Sequence, residues 1–162
     1  VGSDAGDITP ENSGGSIKDF SETYPNGTPR SKWSARICPN GRYLLHGEQI
    51  DYYEDTSKQH QVTFENGRKT GTETYWHPDG SIAWTWQRDL KTNRGIWTHY
   101  WPNGKKKVES AWNLRPEPRD LKRQFFGYVA QGPSRHWDEQ GNLTASYDFV
   151  NGNLADTESE KP

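Results

Sequence analysis

The stretch "GIWTHYWPNG", residues 95–104, sets two tryptophans, a tyrosine and a histidine against a Pro-Asn-Gly sequence. Asn-Gly supplies the positive backbone dihedrals of a tight reversal and proline fixes the entry, so the stretch reads as a strand running into a hairpin turn. The recipe returns as "YPNGT" at 24–28, "CPNGR" at 38–42, "FENGR" at 64–68, "HPDGS" at 77–81, "WPNGK" at 101–105, "DEQGN" at 138–142 and "FVNGN" at 149–153. Between these turns lie short alternating runs. In "SIAWTWQRD", Ile82, Trp84 and Trp86 share one face and Ala83 and Thr85 the other; Trp97, His99 and Trp101 share a face in the same way. No segment carries a long helical period, and only "PRDLKRQFFGYV" leaves helix and strand both open.

The repeat takes its register from the aromatic pairs Tyr52-Tyr53, Tyr75-Trp76, Tyr100-Trp101 and His136-Trp137, whose second members stand 23, 25 and 36 residues apart. Gly47, Gly71, Gly95 and Gly132 precede those second members by 6, 5, 6 and 5 residues. A period of about 23–25 residues fits one β-hairpin per repeat, each stacked edge to edge on the next. The last interval holds about a dozen residues too many.

Composition points to a thin body. Of 162 residues only 29% are hydrophobic while 13% are aromatic, with 8 Trp and 8 Tyr, so rings rather than aliphatic side chains must do the burying. Disordered chains are poor in aromatics, so the middle of the chain is expected to fold despite its polar average. A net charge of -2 argues against nucleic acid as partner, and no apolar run is long enough to span a bilayer. Cys38 stands alone, which excludes an internal disulfide and a thiolate metal cluster within one chain. The absence of Met reads as a processed or trimmed product.

Residues 1–18 read as a flexible acidic leader, 19–154 as the repeat domain with an insertion at 114–127, and 155–162 as an acidic tail. Acidic leaders of this kind tether exported bacterial domains, so the expected location is exported or cell envelope, with the cytoplasm as alternative.

The stretches "YLLHGEQIDYYED", "ENGRKTGTETYWHPDGS", "NRGIWTHYWPNGKKK" and "QGPSRHWDEQGN" resemble the MORN repeat, and more closely its bacterial variant, the YwqK-type antitoxin-like family. The glycine, the aromatic pair and the turn match well in the central two units; the first is degenerate and the fourth interrupted. The resemblance covers roughly residues 22–154. It implies an all-β protein, an elongated, twisted antiparallel sheet of tandem hairpins, working as a non-catalytic scaffold or binding surface.

His77, His99 and His136 stand at strand-to-turn junctions, but their offsets from the aromatic pair differ, and they lack the tight paired spacing of a zinc site; no metal and no cofactor is expected. Glu48, Asp51, Glu54, Asp55 and Glu73 supply carboxylates, yet a thin sheet offers few places to bury one and raise its pKa, so no catalytic residue is assigned. Repeat proteins place insertions on binding surfaces, which makes Arg115, Arg119, Lys122, Arg123, Phe125 and Phe126 the candidate partner-binding residues of an accessory subunit that docks on another protein. A carbohydrate-binding module is the alternative, with Trp33, Trp84 and Trp112 expected exposed for stacking and Trp76, Trp101 and Trp137 expected in the core. An antitoxin or immunity role follows only from the resemblance, and bare sheet edges make self-association possible.

Overall fold

The computed structural model describes residues 14–114 and 128–155. Its strands are β1 (Ser16–Thr23), β2 (Pro29–Ile37), β3 (Tyr43–Tyr52), β4 (Lys58–Glu65), β5 (Arg68–Trp76), β6 (Ile82–Asp89), β7 (Arg94–Tyr100), β8 (Lys106–Asn113), β9 (Val129–Trp137), β10 (Leu143–Val150) and β11 (Asn153–Leu154). They hydrogen-bond in chain order with no crossover, so the sheet is a run of consecutive antiparallel hairpins, the all-β architecture that the turn spacing predicts. The described residues contain no helix. Two compact units divide the chain, Val1–Ala83 and Trp84–Pro162. Ser16–Lys18, the end of the segment read as leader, begin β1.

Six five-residue reversals share one hydrogen-bond pattern: Tyr24–Thr28, Cys38–Arg42, Tyr53–Ser57, His77–Ser81, Trp101–Lys105 and Asp138–Asn142. In each, the first N–H donates to the fifth carbonyl and the fourth N–H donates back to the first carbonyl, at 2.8–3.0 Å. The Oδ1 of Asn26, Asn40, Asp55, Asp79 and Asn103, the third residue, accepts the fifth N–H at 2.9–3.1 Å. The fourth residue needs a positive φ, and glycine fills it everywhere except at Thr56, where φ is 72°. That exception hides the Tyr53–Ser57 turn from a search for Asn-Gly.

Measured from these turns, the repeat becomes regular. Gly47, Gly71, Gly95 and Gly132 each stand six residues before a turn's first residue, namely Tyr53, His77, Trp101 and Asp138. The uneven glycine offsets arise because the aromatic pair slides by one residue against the turn in alternate repeats. "CPNGR" crowds the first unit for a different reason: it joins β2 to β3 and lies on the opposite edge from the turns that join β1 to β2 and β3 to β4.

The glycines do two jobs. Between β2 and β3, Trp33 pairs with Gln49 and Ala35 with Leu45, so two residues of one strand face four of the other, and Gly47 at φ 94° takes up the excess. Gly71 (φ 64°) and Gly132 (φ 104°) occupy the same bulge between β4 and β5 and between β8 and β9. β6 and β7 pair without a register shift. There Gly95 answers to packing, since a Cβ would stand 2.7 Å from Leu114 Cδ2 and 3.3 Å from the Trp86 ring.

Hydrogen bonds tie neighbouring repeats at both edges. Tyr24 Oη donates to the Tyr52 carbonyl (2.7 Å), Tyr53 Oη to the Trp76 carbonyl (2.7 Å) and Trp101 Nε1 to the Trp137 carbonyl (3.0 Å). At the other edge the Asn66-Gly67 and Asn151-Gly152 turns reach back to the bulges, where Gly67 N–H donates to Leu45 O (2.7 Å) and Gly152 N–H to Ala130 O (2.8 Å). The buried apolar residues Ala35, Cys38, Val62, Ala83, Leu114 and Val129 are small or medium in size and none is aromatic, against the expectation that rings do the burying; the tryptophans are half-buried instead.

Candidate functional site

The titratable cluster of the first unit is built by strand register. β3 and β4 place Asp51 opposite His60, and β4 and β5 place His60 opposite Tyr75. His60 Nδ1 lies 3.0 Å from Asp51 Oδ2 and its Nε2 2.7 Å from Glu73 Oε1. Lys69 Nζ donates to the same Glu73 oxygen at 2.6 Å, Ser31 Oγ donates to Asp51 Oδ1 at 2.5 Å, and Gln49 Nε2 donates to both Asp51 oxygens. Glu73 is only 2% exposed, against the expectation that a thin sheet leaves few places for a buried carboxylate. The Lys69 ammonium and the His60 ring, cationic when protonated, share one of its oxygens and offset the cost of burial.

A neutral imidazole has one N–H and can donate to one carboxylate, whereas a protonated ring donates to both. The hydrogen bond to Glu73 raises the His60 pKa, burial lowers it, and the bond to Asp51 raises it again, with a net shift upward from the usual 6.5. Burial pushes the Asp51 carboxyl up, but bonds from Ser31, His60 and Gln49 together hold it below 3.8. Both ring nitrogens are engaged, so in this geometry His60 has no nitrogen with which to take a proton from a substrate, and Ser31 donates to the aspartate rather than to the imidazole. The cluster is a cross-strand pin through β3, β4 and β5. A polar hollow of about 450 Å³ adjoins it, lined by Glu22, Tyr24, Arg30, Ser31, Asp51 and Gln59. Among the described residues no three His, Cys, Asp or Glu side chains are grouped to hold a metal ion.

The second unit gathers aromatics on one face. Pairing sets Trp84 opposite His99, Trp86 opposite Trp97 and Trp112 opposite Gly95. The Trp86 ring lies 6.0 Å from Trp112 and 5.5 Å from Tyr128, and the Arg88 guanidinium sits 4.9 Å over it. Trp97 stacks on His99 at 5.7 Å. Trp84, Trp86, Trp97 and Trp112 are all half-buried, so this face of β6–β8 presents four tryptophans that are each part covered and part open to solvent.

The expected split between exposed and core tryptophans is absent. Trp33, Trp84 and Trp112 are half-buried, and so are Trp76, Trp101 and Trp137. Close neighbours on the same sheet cover four of these rings: Phe20 stacks on Trp33 at 5.7 Å, while Lys58, Lys107 and Lys106 lie over Trp76, Trp101 and Trp137 at 5.9, 4.3 and 6.0 Å. Trp33 belongs to the first unit and Trp84 and Trp112 to the second. His99 and His136 share a face across β8, each opposite Val108, and His77 is exposed in its turn. Arg115, Arg119, Lys122, Arg123, Phe125 and Phe126 lie outside the described residues; of the insertion, Leu114 is described, buried, with its N–H donating to Asn93 O at 2.9 Å. The Asp51–His60–Glu73 pin escaped sequence reasoning because its signal is strand register, and the turn that sets the β3–β4 register is the one without glycine at its fourth position.

Residues 94–113, which run from the first residue of β7 to the last of β8, match the MORN repeat variant family. No curated protein matches the chain. Among solved structures, a crystal structure of a protein with unknown function from Bacteroides fragilis NCTC 9343 is 11% identical, with 88% of this chain and 99% of that chain covered at a TM-score of 0.22.

Proposed function

We propose that this chain is a non-catalytic interaction module that docks on another protein through the β6–β8 face of its second unit, with the 114–127 insertion as a further contact. The observation that carries the reading is the file of Trp84, Trp86, Trp97 and Trp112 on one face of three adjacent strands, beside the 7% exposed Arg88. Tryptophan and arginine dominate interface energetics, and rings already pinned by neighbours lose little entropy on docking. The strands concerned include the segment that matches the MORN repeat variant. The other notable cluster, around His60, has its proton-transfer groups engaged in holding strands together.

Affinity capture from lysate and envelope fractions tests this, with wild type beside two folded variants, Trp84→Ala/Trp97→Ala and Arg119→Ala/Arg123→Ala/Phe125→Ala/Phe126→Ala. A protein retained by wild type and lost by the tryptophan variant supports the face; loss with the second variant alone moves the contact to the insertion. Capture of no protein, together with quenching of tryptophan fluorescence by soluble oligosaccharides, replaces protein docking by glycan binding.

A further inference from the structure

We propose that β1 is a dimerisation edge, at which two copies of this chain pair their Ser16–Thr23 strands antiparallel about a twofold axis at Phe20. β1 is first in the hydrogen-bonded strand order and pairs on one side with β2, so among the described residues its other side presents unpaired N–H and C=O groups. Seven of its eight residues are exposed, Phe20 being the half-buried one. Such a row is a template for another strand, and the identity of that strand follows from charge.

In an antiparallel pair, residues opposite each other point to the same face. A twofold axis perpendicular to the sheet keeps each residue on its own face, so it must pass through a residue position and not between two. Centring on Lys18, Asp19 or Glu22 sets like charges against each other, which is destabilising. Centring on Ser21 sets no charged pair. Centring on Phe20 sets Lys18 opposite Glu22 of the second copy and Glu22 opposite its Lys18, with the two Phe20 rings facing each other between them. Lys18 and Glu22 make no ion pair among the described residues. Phe20 already stacks on Trp33 at 5.7 Å and meets Tyr43 at 5.6 Å, so the pairing joins two aromatic groups into one row across the axis. Charges on an edge strand ordinarily block pairing; here they block every register considered except the uncharged Ser21 one and favour one. The interface is isologous and closes as a dimer.

Sedimentation equilibrium at low ionic strength on the full chain tests this with wild type, Lys18→Glu, Glu22→Lys and the double reversal, each first checked for an unchanged far-UV spectrum. Wild type is expected to dimerise. Each single reversal sets like charges opposite at two symmetric positions and is expected to weaken the dimer on the order of tenfold, while the double reversal restores it. Restoration is specific to this register, because a general effect of surface charge or of folding does not reverse. A wild type that stays monomeric up to about 1 mM overturns the proposal. So does a dimer indifferent to the single reversals, and so does a ladder of larger species, which is what β1 pairing with β10 of a neighbour produces.

Discussion

When protonated, His60 donates toward two carboxylates from one ring, so its protonation sets how strongly β3, β4 and β5 are held. Its pKa is raised in the fold, so its contribution to stability is complete below about pH 6.5 and is lost as pH rises through the higher folded value. Asp51 has the opposite sign. Its pKa is lowered, so its contribution is complete above about pH 4 and is lost as pH falls through the lower folded value. His60→Asn is therefore expected to cost about 2 kcal/mol between roughly pH 4 and 6.5, with a smaller cost on either side. Urea unfolding of both proteins across pH measures the gap, and a gap that does not change with pH contradicts the account. Thr56 supplies a second test at this scale. A β-branched residue at φ 72° is strained, so Thr56→Gly is expected to raise stability by roughly 0.5–1 kcal/mol even though glycine is the more flexible residue when unfolded. A lower melting temperature would show that Thr56 is held there by an interaction worth more than the strain.

At the scale of elements, two glycines at equivalent positions in the repeat are kept for different reasons, and substitution separates them. Gly71 has φ 64° and open space where a Cβ would go, so Gly71→Ala is expected to cost about 1 kcal/mol and Gly71→Asn less, since asparagine tolerates left-handed backbone. Gly95 lacks the positive φ but faces Leu114, so Gly95→Ala is expected to cost about 2 kcal/mol and the bulkier Gly95→Asn more. Thermal unfolding that ranks Ala and Asn in the same order at both sites contradicts this. Most strands were legible because their punctuation is chemical: Asn-Gly and Asp-Gly announce a reversal wherever they occur. The bulges at Gly47, Gly71 and Gly132 were not, because a bulge is a property of two strands paired, and the spacing of glycines in one chain shows a period without showing what it accommodates. The same limit hid Asp51, His60 and Glu73, which stand 9 and 13 residues apart and meet only across hairpins.

At the scale of the whole molecule, aromatic content pointed to rings rather than aliphatic side chains as the covering material, and all eight tryptophans are half-buried, some under other rings and Trp76, Trp101 and Trp137 under lysines. Which rings are more open was not legible, because the lysines and tyrosines that cover them come from other strands. The central claim is that the β6–β8 face docks a protein. Hydrogen exchange of the chain with and without its captured partner tests it most directly. The account predicts added protection in residues 84–112; a partner that protects only other segments, with 84–112 unchanged, contradicts it.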